Sequence, residues 1–305
     1  MIMDEEDFKR HLKDKTNEIN EIIKTYLPAE EGAQKTVIEA LNYSVLAGGK
    51  RLRPMLMKEV YTLLGGRSRI VEPFMAAIEF IHTYSLVHDD LPAMDNDEYR
   101  RGQFTTWRVY GDGMGVLAGD ALLNYAFETM LSASSMKTEY EDIYSLYEAM
   151  QIISKKSGIY GMVGGQCADL EAEDEKSLLS EEALLFIHEH KTAALIQAAM
   201  MAGAILAGAD LETIAGIERC AYNIGIAFQI RDDILDVIGD DKELGKSTGS
   251  DAENGKQTYV TLHGIEKSEE EVHRLSDEAM KILDSLGGNN DFIKALVAML
   301  VGRRY

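Results

Sequence analysis

Two aspartate clusters are the residues in this chain whose types and spacing could do chemistry. The first reads Asp89-Asp90-Leu91-Pro92-Ala93-Met94-Asp95 and the second Arg231-Asp232-Asp233-Ile234-Leu235-Asp236, with 143 residues between their leading aspartates. At about 100° per helical residue, Gln229, Asp232, Asp233 and Asp236 fall within an arc of roughly 100°, so one helical face presents three carboxylates and an amide. The first cluster makes no such stripe, because Asp89 and Asp95 lie roughly 240° apart on a wheel. Pro92 is expected to end that helix, and a loop that folds Asp95 back toward Asp89 would bring the two together. A solvated acidic face is the bland account. With 52 acidic residues, a triad of either acid at a given spacing arises by chance about 1.5 times, whereas an all-aspartate triad arises only about 0.1 times. The pair of clusters therefore calls for an explanation. Crowded carboxylates raise one another's pKa unless cations neutralise them, and hard oxygen donors that share an ion with substrate phosphates suit Mg2+.

The basic residues supply the complementary half. Gly48-Gly49-Lys50-Arg51-Leu52-Arg53-Pro54 places three cations in four residues behind two glycines, whose missing side chains let backbone amides approach an anion. Arg100-Arg101-Gly102 follows the first aspartate cluster by five residues, Lys191-Thr192 opens an uncharged stretch, and Lys246 and Lys256 follow the second cluster. Each alone is an ordinary surface or helix-end charge. Together they suggest two polyanionic groups bridged to carboxylates by metal ions. His82, seven residues before Asp89, is nearly a whole number of turns away, on the same face at about 10 Å.

The elements that must position these groups read as helices. Periodicity near 3.6 recurs along the chain without a period-two stretch of more than a few residues. Helices are predicted at about 5–26, 33–46, 53–65, 70–90, 115–132, 140–158, 181–207, 211–238, 268–285 and 291–302. Segments near 91–113, 165–180 and 239–258 are predicted to be irregular. All four prolines stand in the first 92 positions of a 305-residue chain, so later helices can run uninterrupted. No linker-like composition divides the sequence, and the expectation is one all-α domain over residues 1–305. The uncharged run from Thr192 to Ala209 is at the lower limit for a membrane span, but its small residues and Gln197 favour a buried central helix. The net charge of −21 argues against nucleic acid or an anionic membrane as partner. Two cysteines 53 residues apart form no CxxC pair, and with an acidic, uncleaved-looking start this points to a reduced, cytoplasmic protein.

The motifs resemble those of trans-isoprenyl diphosphate synthases. GGKRLRP (48–54), HDDLPAMDNDEYRRG (88–102), GMVGGQCADL (161–170), HEHKTAAL (188–195), FQIRDDILD (228–236) and LGKSTGSD (244–251) stand in that family's order and spacing, from about Leu41 to Thr261. The resemblance implies the all-α prenyltransferase bundle around a central cavity, usually as a homodimer. It implies three Mg2+ ions. Asp89 and Asp95, with Asp90 in support, would hold two of them, and Asp232, with Asp233 and Asp236 close by or through water, the third. It assigns Arg100, Lys191 and Lys246 to the allylic diphosphate, and Gly49, Lys50, Arg53, His82 and Arg101 to isopentenyl diphosphate. Thr192 and Gln229 would line the path of the allylic cation, and Lys256 would lie near a closing loop. Phe104 and Trp107 depart from the Pro and His of many bacterial members, and neither is a substrate ligand.

The implied reaction is head-to-tail transfer of the prenyl group of an allylic diphosphate onto isopentenyl diphosphate. Product length is expected to depend on what blocks the cavity beneath Asp89. The wheel places Ser85 about 40° and Tyr84 about 140° from Asp89, so geometry alone favours Ser85, whereas the resemblance allows a large residue at either position. An aromatic residue at 84 with two extra residues inside the first motif resembles bacterial farnesyl (C15) diphosphate synthases. The alternatives are a geranylgeranyl (C20) synthase and a non-catalytic subunit of a heteromeric synthase. A terpene cyclase needs no second diphosphate site, which GGKRLRP and Arg101 would supply.

Overall fold

The computed structural model describes residues 4–136, 140–174, 179–238 and 257–302. Its helices are α1 (Glu5–Thr25), α2 (Lys35–Leu46), α3 (Leu52–Leu63), α4 (Glu72–Asp89), α5 (Thr106–Tyr110), α6 (Asp112–Ser132), α7 (Tyr140–Ser157), α8 (Met162–Asp174), α9 (Glu181–Ile187), α10 (Ala194–Leu206), α11 (Leu211–Ile238), α12 (Tyr259–His263), α13 (Ile265–Ser285) and α14 (Asp291–Gly302). A two-stranded antiparallel hairpin, β1 (Tyr99–Arg100) and β2 (Gln103–Phe104), pairs Tyr99 with Phe104. It is the sole sheet among the described residues. The all-α expectation holds.

Two helices are buried along nearly their whole length and form the centre of the bundle. In α4 the apolar residues from Phe74 to Tyr84 point both ways into the core, leaving no polar face. In α10 every residue from Ala194 to Ile205 is buried, which makes the uncharged run a central helix. By length and composition, the segment Arg69–Asp89 could also cross a membrane, but 78% of its apolar window is covered by the rest of the protein. Around these two, α6 packs along α4, α3 and α7 flank α10, and α13 lies against α11. Amphipathic periodicity places the outer helices: α13 buries Val272, Leu275, Ala279 and Leu283 at spacings of three and four, one stripe on an otherwise polar helix.

Three sequence expectations need correction. The segment 165–180, predicted irregular, is helical to Asp174 as α8. Its glycines read as breakers but serve close packing. A Cβ on Gly165 would stand 2.1 Å from the backbone nitrogen of Lys191, so only glycine lets the helix approach. The segment 91–113 contains the hairpin, α5 and the start of α6, because local pairing across Gly102, at φ +78°, satisfies its backbone. The helix predicted over 181–207 is not uniform: a π-helical turn, His188–Ala193, separates α9 from α10. Such turns add a residue to the ladder and are frequent at functional sites.

A buried ion pair ties the start of α3 to the middle of α4. Arg51 Nη1 donates to Glu79 Oε1 at 2.7 Å, and both side chains are about 2% exposed. Arg51 Nε donates to Asn20 of α1 and its Nη2 to the Val45 carbonyl. Arg51 holds φ +50°, and Gly48 and Gly49 hold φ +94° and +131°, so the turn before α3 depends on left-handed backbone that glycine supplies cheaply.

The crossing of α10 on α3 depends on Gly203, where a Cβ would stand 2.4 Å from the Met57 carbonyl oxygen. Gly203→Ala is expected to lower stability by about 1–3 kcal/mol through overpacking. Denaturant unfolding checks this, and an unshifted midpoint would mean that the two helices separate at no cost.

Candidate active site

The C-terminal end of α4 carries Asp89, with Asp90 as its cap. Beyond Pro92 the chain turns back: the Asp95 amide donates to the Asp89 carbonyl at 2.8 Å, and Asn96, at φ +55°, donates to Leu91. The loop therefore returns Asp95 to Asp89, as the proline suggested. Burial pushes the Asp89 carboxyl up to about 6, Lys191 and Arg100 oppose the shift, and the charges of Asp95 and Asp90 add to it. Asp90 points elsewhere. Arg100 Nε donates to both of its oxygens at 2.8 and 2.9 Å and Arg100 Nη2 to one at 2.5 Å, a bidentate pair that orients the guanidinium.

The second cluster lies on α11. Gln229, Asp232, Asp233 and Asp236 share about two turns of that helix, with Asp233 and Asp236 buried. Asp233 is engaged in the fold: its oxygens accept from the Tyr259 amide at 2.9 Å and from Gln229 Nε2 at 3.3 Å, and His188 Nε2 stands 3.7 Å away. Gln229 Oε1 accepts from Thr192 Oγ1 at 2.9 Å. The amide of Gln229 is thus fixed at both ends, and Thr192 is held by a partner rather than by its rotamer alone.

Lys191 and Thr192 sit in the π turn, gripped by Gly165 of α8 and by Gly225 of α11, where a Cβ would stand 2.3 Å from Ala193 Cβ. Lys191 Nζ donates to Asp169 Oδ2 of α8 at 2.5 Å, while its charge also reaches Asp89. The lysine therefore stands between two carboxylates from different helices.

The basic side forms where the turn before α3 meets the hairpin. Arg101 Nη1 donates to the Gly48 carbonyl, and its guanidinium lies over Gly49, where a Cβ would stand 2.8 Å from Nη1. Arg53 is half-buried with its Nε enclosed and unpartnered. Desolvation pushes Arg53 down to about 10, Glu79 resists, and Arg101 reinforces the fall. His82 is held well below its ordinary value by burial first and then by Arg53, Arg101, Arg100 and Arg51, so its ring is neutral near pH 7. Lys50 is exposed at the rim. Tyr84 is 6% exposed and near Asp89, whose charge joins burial in pushing its phenol up to about 12. The Ser85 hydroxyl donates to the His82 carbonyl, which turns it back along its own helix. Lys246 and Lys256, with the segment LGKSTGSD, lie outside the described residues.

Two functional-looking groups were missed in the sequence. Asp169 lies in the quoted segment GMVGGQCADL, but a single carboxylate among 52 acids gives no signal until Lys191 is placed beside it. Glu79 had a usable signal, since it is a charge inside the apolar run from Phe74 to Val87, where a charge implies a partner. No three His, Cys, Asp or Glu side chains converge into a cage among the described residues. Asp89 and Asp95 fit an open site instead: a desolvated carboxylate repelled by its neighbour favours a hard divalent cation, and Mg2+ needs only one or two carboxylates when phosphates complete its shell.

The sequence pattern of polyprenyl synthetase matches residues 34–296. The chain belongs to the polyprenyl synthetase family. It is 41% identical over 292 residues to the farnesyl diphosphate synthase of Micrococcus luteus, covering 95% of this chain and 96% of that protein. It is 45% identical over 243 residues to a geranylgeranyl diphosphate synthase of Cyanophora paradoxa, covering 80% and 79%. The solved apo structure of a FPP/GFPP synthase from Zymomonas mobilis superposes with a TM-score of 0.84 at 32% identity, covering 96% of this chain and 98% of that one. The protein is accordingly a trans-prenyltransferase of isoprenoid biosynthesis acting on prenyl diphosphates.

The raised pKa of Asp89 fixes a sign. A carboxyl moved from 3.8 to about 6 binds more protons folded than unfolded between those values, so this group's contribution to stability is present at low pH and is lost as pH rises through about 6. In metal-free protein, Asp89→Asn is expected to be more stable than the wild type at pH 7, with the difference shrinking toward pH 4. Thermal midpoints of the two proteins across that range test this, and a constant difference would contradict it.

Proposed function

We propose that the protein is a farnesyl diphosphate synthase that condenses isopentenyl diphosphate with C5 and then C10 allylic diphosphates, with Mg2+ as cofactor. The observation that carries the C15 reading is the buried aromatic ring of Tyr84, five residues inside the bundle from Asp89 on α4. It supplies the bulk expected at the base of the cavity, whereas Ser85 is small and turned onto the backbone. The relatives include synthases named for both C15 and C20 products, so the product reading rests on this ring.

In this reading Asp89, Asp95 and Asp232 are the direct holders of three Mg2+ ions, while Asp90, Asp233 and Asp236 act from behind them. When bound, the ions neutralise the charge of the departing diphosphate. Arg100, oriented by Asp90, and Lys191, held by Asp169, take the oxygens of the allylic diphosphate, joined by Lys246. Lys50, Arg53, Arg101 and a neutral His82 hold isopentenyl diphosphate, with Gly49 allowing the close approach and Lys256 near the closing edge. The C1–oxygen bond of the allylic substrate breaks heterolytically, and both electrons leave with diphosphate. The alkene of isopentenyl diphosphate then forms the new bond to C1, and a proton from the adjacent carbon passes to the released diphosphate. Thr192 and the fixed Gln229 present oxygen lone pairs along that path, and the apolar walls keep water from the cation.

A homodimer is the assembly this reading expects. Its support is the set of exposed apolar side chains on α6 and α7, which includes Leu117, Leu131, Ile143 and Tyr147. The same reading takes the chain as one domain working in a reducing cytoplasm, for which the two free cysteines are the support. Membrane insertion and nucleic-acid binding form no part of this reading.

Incubating the protein with Mg2+, isopentenyl diphosphate and separate C5, C10 and C15 allylic diphosphates tests the assignment. Chromatography of the dephosphorylated products is expected to give farnesol as the end product, lost in Asp89→Ala. Tyr84→Ala should lengthen the product. A C20 product from the wild type would make the protein a geranylgeranyl synthase by the same chemistry, and no condensation would favour a non-catalytic subunit.

A further inference from the structure

Tyr84 can act as a floor only if its ring is held still, and the structure contains a seat for it. Four residues further along α4, the His88 ring meets the Tyr84 ring edge-on, with centroids 5.8 Å apart and planes at 81°. His88 is in turn fixed to α6. Its Nε2 donates to the Val116 carbonyl at 3.1 Å, and Asp120 Oδ1 lies 3.8 Å from the same nitrogen. The imidazole fills the place of a missing side chain: a Cβ built on Gly119 would stand 2.0 Å from Nε2 and 2.2 Å from Cδ2. No residue larger than glycine fits there unless the imidazole moves. Gly119 has no positive φ to explain it, so contact with His88 is what the position answers to.

We propose that His88, seated on Gly119 of α6, is a positioning residue that fixes the Tyr84 ring and so sets where chain growth stops. This deepens the farnesyl reading and rests on Tyr84 being the floor. The physical link is direct. An aromatic ring packed edge-on against a second ring has a preferred tilt, and the second ring here is held by a hydrogen bond and a backbone surface rather than by a mobile side chain. Removing the imidazole opens space behind Tyr84, and the ring can then swing away from the growing prenyl tail. A methyl group on Gly119 does the opposite, driving the imidazole toward Tyr84 and narrowing the cavity.

The test measures product ratios, which any folded fraction of a variant reports, so that lost stability or lost rate does not mimic the effect. Wild type, Tyr84→Ala, His88→Ala, His88→Asn and Gly119→Ala are each given Mg2+ and isopentenyl diphosphate with C5 and with C10 starters, and products are compared at matched turnover. Tyr84→Ala is expected to lengthen the product. His88→Ala and His88→Asn should raise the C20 to C15 ratio at least tenfold, and Gly119→Ala should raise the C10 to C15 ratio from the C5 starter. Longer products from Tyr84→Ala with wild-type ratios in the His88 and Gly119 variants would overturn the seat and leave the floor intact. Unchanged products from Tyr84→Ala would remove both.

Discussion

The buried pair Arg51–Glu79 is the joint from which both sides of the site are hung. One end of it starts α3 and closes the turn that presents Lys50, Arg53 and the glycine surface under Arg101. The other end lies on α4, which then carries His82, Tyr84, His88 and Asp89 within the next three turns. The pair thus fixes the register between the basic cradle and the first aspartate cluster. Breaking such a pair by removing one partner costs about 3–5 kcal/mol, because the remaining charge is stranded. The charge of Glu79 also has electrostatic work to do, since it resists the fall in the pKa of Arg53 and of Arg101. One carboxylate therefore keeps three guanidinium groups tolerable in a crowded, partly dry place.

The site is arranged so that charges of both signs remain incompletely neutralised. Asp89 is pushed up to about 6 and Arg53 down to about 10, each chiefly by burial. Opposite charges that simply found one another would show the reverse shifts, as paired groups do. Distance and the fold prevent them from pairing: Asp90 occupies Arg100, and Asp169 takes Lys191. Those contacts orient the cations without using up the Asp89 carboxylate. Preorganisation of this kind lowers the stability of the empty protein and strengthens interactions with charge that arrives or develops later.

Much of this was legible in the sequence because it is local. Helical periodicity placed α1, α4, α6, α7, α11 and α14 within a few residues, and the aspartate clusters stood out by type and spacing. Pro92 correctly signalled that Asp95 folds back. The missed parts were decided by tertiary packing. The glycines of α8 read as breaks, yet Gly165 is there to meet Lys191. The π turn has no local signature apart from the charged residues it carries. Asp169 and Glu79 acquire their meaning only from partners 22 and 28 residues away. The wheel favours Ser85 as the floor on angle alone, whereas the proposal of Tyr84 rests on its bulk and burial. A wheel does not show that the Ser85 hydroxyl bonds to its own helix or that the Tyr84 ring packs edge-on against His88.

The separation of chemistry from size follows from the same helix. In the proposed reading the groups that handle diphosphate lie at the C-terminal end of α4 and in the loops beside it, whereas Tyr84 lies five residues further into the bundle. Five residues advance about 7.5 Å along a helix, so in that reading a side chain there meets the tail rather than the reacting carbon. On the proposed floor role, exchanging that side chain changes where growth stops without disturbing the ion pairs, because Tyr84 is coupled to Asp89 through its charge. A glycine on α6 and the imidazole packed on it are the proposed seat of that ring. On this proposal the length of the product is a property of helix–helix packing, while the reaction is a property of the charges at the helix end.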